Sequence, residues 1–315
     1  MNNIMSKGLA FVFPGQGSQS VGMLEHYFTK EKKFKNCFDL SKEVLGIDFQ
    51  DLVLNGKPDD LSSTEITQPL MLTANQAIWE CLEFLPEDIT VMAGHSLGEF
   101  SAFVASQAFS FEDALMLVTQ RAKFMQEAVP DGKGAIAAII GLNLDELDSI
   151  CSSVSEKDSL VQLANINSSN QIVISGTRDA VSLAINKCNE AGAKRAVLLP
   201  MSVPAHCKLM EPASKKFQLV LEKINIQMPK CNVVQNVDAS IADNLEKIYE
   251  NLISQIYNPV RWTDTMHSFD RFKIKKCIEC GPGKILSGLI KRTLKEAIVI
   301  SLDNYDSFLD RDDLI

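Results

Sequence analysis

The sequence predicts an α/β fold: a largely parallel sheet covered by helices, carrying a smaller inserted domain. Three observations lead there. Short apolar runs alternate with helical patterns, the order of elements changes between about 130 and 200, and 315 residues at 46% hydrophobic content suffice to bury a substantial core.

The apolar runs of the larger part include Leu9–Phe13 (LAFVF), Val91–Ala93, Cys231–Val234 and Ile298–Leu302. Crossovers of the strand, loop and helix type bring the intervening loops to one edge of a parallel sheet. In the middle of the chain the order is a strand at 134–140, a helix from Leu144, strands at 160–166 and 171–176, a helix from Arg178 and a strand at 194–199. That order, βαββαβ, is the ferredoxin-like unit. The reading therefore assigns 1–129 and 201–315 to a large domain and 130–200 to a small one. With no long linker, repeat or low-complexity segment, the two are expected to pack as one body.

Composition narrows the class. Eight scattered cysteines in a chain this long point to reduced thiols in a cytosol rather than a disulfide framework. No segment approaches the roughly 18 apolar residues of a membrane span, and MNNIMSKG lacks the apolar stretch of a secretory signal, so a cytoplasmic location is expected. A net charge of −9, with 31 basic against 40 acidic residues, disfavours nucleic acid and anionic lipid as partners. Two local basic stretches stand out, Arg271–Lys276 and the series Lys284, Lys291, Arg292 and Lys295. Either one alone reads first as a solvated face.

The chemistry centres on Gly94-His-Ser-Leu-Gly98, which matches G-x-S-x-G, a nucleophile held on a sharp turn between strand and helix. A Gly-Ser turn capping a helix satisfies the same letters. A serine hydroxyl needs a general base, and four histidines are available. His95 adjoins the serine and should point away from it; His26 and His267 lie in charged helical surroundings. His206, in Val203-Pro-Ala-His-Cys207 just after the last strand of the insert, is the best candidate. An oxyanion needs hydrogen-bond donors. The Leu97 N–H is one, and the loop Pro14-Gly-Gln-Gly-Ser-Gln19 offers another if its strand neighbours that of the serine. Arg121, on the following helix, suits a carboxylate, though a surface arginine is the alternative. Cys277-Ile-Glu-Cys280 sits in an apolar strand-like run without a second pair, which argues against a zinc or redox site.

Taken in order, FVFPGQGSQ, GHSLGE, QRA, NINSSNQIVISG, VPAHC, NPVRW and ECGPG resemble the malonyl-CoA:acyl carrier protein transacylase family of type II fatty acid synthesis over nearly the full length. The resemblance implies a large α/β-hydrolase-like domain with a ferredoxin-like insert. It implies Ser96 as nucleophile and His206 as base, with the N–H groups of Gln16 and Leu97 as oxyanion donors. Arg121 would bind the malonyl carboxylate, and the Gln255 carbonyl would orient the histidine. Asn165 and Asn167 would line the cleft. No metal or redox cofactor is implied; malonyl-CoA is a substrate and holo acyl carrier protein the partner. Because such carriers are acidic, Lys284, Lys291 and Arg292 become a docking candidate. Ala205 departs from the serine common at that position, and neither MNNIMS nor the tail after Asp303 carries a motif. The rival readings are an α/β-hydrolase esterase or thioesterase, which would use the same elbow with water, and a noncatalytic acyl-CoA-binding protein.

Overall fold

The computed structural model describes residues 8–201 and 203–310. The segment MNNIMS, Ser202 and the last five residues of the tail lie outside the described residues. Among the described residues nine strands form two sheets: β1 (Leu9–Phe13), β2 (Val91–Gly94), β3 (Gly134–Ile140), β4 (Val161–Ser168), β5 (Gln171–Thr177), β6 (Arg195–Leu198), β7 (Asn232–Val234), β8 (Lys276–Glu279) and β9 (Ile298–Ser301). Both the α/β class and the pairing of a parallel with a second sheet are as the sequence predicts.

The first sheet runs in the order β7-β2-β1-β8-β9, and every pair in it is parallel. Strand β1 is buried along its whole length because helices cover both faces. On one face Phe11 and Phe13 pack with Leu70, Phe100, Leu117 and Phe217 from the helices at 64–82, 98–105, 111–128 and 211–221. On the other, Val12 and Cys277 meet Trp262, Phe269 and Leu289 from the helices at 262–271 and 285–293. Cys277 and Cys280 thus belong to opposite faces and are both buried and free. All eight cysteines are free thiols.

The second sheet runs β4-β5-β3-β6 and is antiparallel, with the helices 144–154 and 178–190 packed on it through Leu147, Cys151, Val181 and Ala184. Strand β4 extends two residues beyond the predicted 166, because register shifts between Leu163 and Asn165 and between Ile166 and Ser168 carry it past its regular pairing. There it touches the main body: Ile166 N–H donates to the Val260 carbonyl and Val260 N–H to the Ala164 carbonyl, both at 2.9 Å.

This topology sets where chemistry can happen. The carboxyl ends of β1, β2, β7 and β8 deliver the loop from Pro14, the turn at His95-Ser96, the pair Gln235-Asn236 and the turn Gly281-Pro-Gly283 to one edge. In the ECGPG segment, Glu279 accepts from the N–H groups of Leu286 (3.0 Å) and Ser287 (2.7 Å), so its side chain closes the start of the helix at 285–293. No described helix is long and apolar enough to cross a membrane.

Candidate active site

Ser96 sits on the turn between β2 and the helix at 98–105 with φ of 53°, in the left-handed region that non-glycine residues rarely enter. The glycines on either side explain how the turn closes. A Cβ on Gly94 would overlap the Gly98 carbonyl carbon, and one on Gly98 would overlap the Phe13 carbonyl oxygen, so the elbow lies directly against the end of β1. Asn236 pins it from below: its Oδ1 accepts from the Ser96 N–H and its Nδ2 donates to the Gly94 carbonyl, each at 2.7 Å. These bonds meet the backbone groups that the sharp turn withdraws from the sheet.

The Ser96 hydroxyl lies 2.7 Å from Nε2 of His206. His206 is itself at φ 62° and only 3% exposed, and its Nδ1 is 2.8 Å from the Gln255 carbonyl oxygen. A carbonyl can only accept, so Nδ1 carries the proton, and Nε2 presents its lone pair to the serine. Burial, reinforced by the Arg121 charge, holds the imidazole well below its ordinary 6.5 and therefore neutral. The arrangement is a hydroxyl with a base poised to take its proton. The other histidines fall as expected: His26 and His267 are exposed, and His95 turns away to bond Asn167 Oδ1 at 2.9 Å beneath Trp262.

Arg121 is not a surface arginine. It is 1% exposed, with Nη1 donating to Gln68 Oε1, Nη2 donating to Gln255 Oε1 at 2.8 Å and lying 3.4 Å from Ser96 Oγ. Its Nε has no partner among the described residues. Burial lowers its pKa to about 10, which leaves it cationic near neutrality. A guanidinium beside a nucleophile, carrying a spare donor, is suited to an anionic substrate group.

The sequence condition on the glutamine loop holds, since β1 pairs directly with β2. A Cβ on Gly15 would overlap the His95 carbonyl and come to 3.6 Å from the Leu97 nitrogen. The loop therefore runs beside the N–H of Leu97, and neither that N–H nor the one of Gln16 has an acceptor among the described residues. The Gln16 side chain is engaged separately, accepting from Thr64 Oγ1 at 3.0 Å. A cavity of about 620 Å³, lined by Gln16, Thr64, Gln126, Arg178, Met201 and Val203 among others, opens from this loop toward the small sheet. A larger one of about 740 Å³ lies toward the amino ends of the strands beside Gly8, Thr90 and Asn232, and is lined by Gln235 but by none of Ser96, His206, Arg121 and Gln16.

Asn167 reaches the site through His95, whereas Asn165, half-buried in the β4 bulge, has no side-chain hydrogen bond among the described residues. Ala205 packs with Leu199 and Met201 against Ile136 and Val173. Lys284, Lys291 and Arg292 are exposed, and Arg292 donates to Gln171 Oε1 of the small sheet at 2.7 Å. Sequence reasoning passed over three polar residues in contact with this machinery: Gln68, Glu99 and Asn236. Among the described residues no cluster of three or more His, Cys, Asp or Glu is placed to hold a metal ion.

Comparison with known proteins places this geometry in a family. The acyl transferase domain family matches residues 10–306. The chain is 42% identical to a malonyl CoA-acyl carrier protein transacylase of Haemophilus influenzae, covering 96% of this chain and 97% of that protein. It is 44% identical to that of Escherichia coli K12, over 90% and 92%. Among solved structures it superposes with a TM-score of 0.93 on the Coxiella burnetii malonyl CoA-acyl carrier protein transacylase, at 42% identity and 98% coverage of both chains. It also superposes, at 0.94 and 41% identity, on a malonyl-transacylase solved in complex with a type II PKS acyl-carrier protein, covering 98% of this chain and 100% of that one. The chain belongs to the acyl transferase domain family and, within it, to the malonyl CoA-acyl carrier protein transacylases.

Proposed function

We propose that this protein transfers the malonyl group of malonyl-CoA to the phosphopantetheine thiol of holo acyl carrier protein through a malonyl-serine ester, supplying extender units for fatty acid synthesis. The observation that carries the reading is one arrangement: Ser96 2.7 Å from the lone pair of His206, with the buried Arg121 3.4 Å from the same hydroxyl.

In the first half-reaction Ser96 Oγ attacks the thioester carbon while His206 Nε2 takes the hydroxyl proton. The N–H groups of Leu97 and Gln16 receive the developing oxyanion, each such donor being worth typically ~10² to 10³ in rate. The carbon–sulfur bond breaks, coenzyme A leaves with the proton from His206, and a malonyl-serine ester remains. In the second, the carrier thiol gives its proton to His206 and attacks the ester; Ser96 leaves as the alkoxide and recovers that proton. The Gln255 carbonyl keeps the ring in one tautomer throughout. Arg121 binds the malonyl carboxylate, and Asn165 and Asn167 line the small-sheet side of the cleft. The chemistry so written requires no metal or redox cofactor.

The same reading divides the chain into an α/β-hydrolase-like domain, 1–129 and 201–315, and a ferredoxin-like domain, 130–200, which the element order supports. It assigns carrier docking to Lys284, Lys291 and Arg292, supported by their exposure and by the packing of Gly283 on Ser18 of the glutamine loop. Free thiols and the absence of a described membrane-spanning helix support a cytoplasmic enzyme. The test is product analysis with malonyl-CoA in the presence and absence of holo acyl carrier protein. Carrier-dependent malonyl transfer supports the proposal, whereas free malonate released at a rate indifferent to carrier favours the thioesterase reading.

A further inference from the structure

The helix at 98–105 carries one carboxylate into the interior. Glu99 is 0% exposed, lies three residues past Ser96, and takes part in no step above. Its oxygens accept from three protein donors: the Asn236 N–H at 2.7 Å and Gln255 Nε2 at 3.2 Å on Oε2, and Gln235 Nε2 at 3.4 Å on Oε1. All three are neutral, and Arg121 is the charged group that acts on it. Burial raises the carboxyl to about 7 against the pull of these groups, while Glu99 in turn opposes the lowering of Arg121.

The donor and acceptor inventory fixes what this carboxylate does. A guanidinium has only donors, so the Gln255 atom facing Arg121 at 2.8 Å must be the oxygen. The Gln255 amide nitrogen then faces the Ser96 carbonyl at 3.0 Å, which only accepts, and Glu99, which when ionised only accepts. Gln255 also presents its backbone carbonyl to His206. One side chain is thus held at the junction of nucleophile, base and arginine, and Glu99 shares with the Ser96 carbonyl the task of keeping its amide from turning over.

We infer that Glu99 is a positioning residue for malonyl recognition: its carboxylate fixes the Gln255 amide with the oxygen toward Arg121, and so keeps the guanidinium aimed at the acyl carboxylate. The inference rests on the proposed role of Arg121. A glutamine at 99 would meet three donors with a single acceptor oxygen, and its own NH₂ would confront at least one of them. With that NH₂ at the Oε2 position it opposes the Gln255 amide and leaves the Ser96 carbonyl as the one acceptor holding it, which loosens the group that aims the guanidinium. Acetyl transfer, which has no carboxylate to place, should feel this far less.

The test is a double-mutant cycle on the full-length enzyme, reading kcat/KM for serine acylation by malonyl-CoA and by acetyl-CoA in wild type, Glu99→Gln, Arg121→Ala and the double variant. Glu99→Gln is expected to lower the malonyl-to-acetyl ratio by about tenfold, and to leave it unchanged where Arg121 is already alanine. Equal losses for both donors, or the same fall in the ratio without Arg121, would overturn the inference and leave Glu99 a structural residue. An unchanged ratio in Arg121→Ala alone would instead remove the arginine reading on which it stands. Glu99→Asp, which keeps the charge but withdraws it by one methylene, is taken through the same cycle. The decision then does not depend on the glutamine variant folding, and the aspartate is expected to lower the ratio less.

Discussion

The backbone carbonyl of Gln255 accepts a hydrogen bond from His206 Nδ1 at 2.8 Å, while the side chain of the same residue holds Arg121 at 2.8 Å. In the proposed reaction, two functions that in a serine hydrolase would fall to a third acidic residue and a separate substrate clamp converge on one glutamine. No carboxylate contacts His206 among the described residues. In the proposed reaction the imidazolium would therefore be stabilised by a dipole rather than by an ion pair, and burial keeps the resting ring neutral.

That neutrality has a pH signature. Because the folded pKa of His206 lies below its ordinary 6.5, the base remains competent at pH values where a free histidine would be half protonated. The rate of serine acylation by acetyl-CoA, which makes no demand on Arg121 or on the Glu99 carboxyl raised to about 7, is expected to stay flat from about pH 8 to about pH 6. A limb centred near 6.5 would show an unperturbed imidazole. The linkage runs in the same window: the unfolded chain takes up this proton below 6.5 and the folded one does not, so the His206 contribution to stability is lost as pH falls below that value.

Arg121→Ala should lose malonyl transfer while sparing acetyl transfer. A charge-assisted hydrogen bond is worth about 1.5 to 3 kcal/mol, so the malonyl-to-acetyl ratio of kcat/KM is expected to fall at least about tenfold. Parallel loss of both would place the role of the arginine in folding.

Gly94→Ala and Gly98→Ala should each cost roughly 1 to 3 kcal/mol or more, because the added methyl meets backbone rather than a yielding side chain. Denaturant unfolding measures it. A variant as stable as wild type would mean that the elbow can move away from β1.

Reversing Lys284, Lys291 and Arg292 to glutamate should raise KM for holo acyl carrier protein by about tenfold and flatten its salt dependence, since exposed charges steer an acidic partner. Loading from malonyl-CoA alone is expected to be unchanged. If KM for the carrier does not move, docking lies on another face.

The legible part of this molecule was the part written in local pattern. The strand runs, the βαββαβ order and the serine between two glycines each depend on residues near one another in sequence. The Ser96 and His206 assignments gained from the ordered motifs, and the neighbouring strands that the glutamine loop required are present as β1 and β2. What stayed hidden depends on distance along the chain. Arg121 shares a helix with exposed residues, and only the arrival of Gln68 and Gln255 shows it to be enclosed. Glu99 in the first turn of a helix looks like an ordinary partner of the helix dipole; its burial follows from Gln235, Asn236 and Gln255 closing over it. Asn236 follows a three-residue strand too short to announce a site.

The central claim is that Ser96 carries the acyl group between two thiols. Intact-protein and peptide mass spectrometry after mixing the enzyme with malonyl-CoA and no acceptor tests it most directly. A malonyl adduct confined to the Ser96 peptide, stable in buffer and discharged on adding holo acyl carrier protein, is the expected result. An adduct lost to water at the same rate without carrier, or no adduct at Ser96, would contradict it.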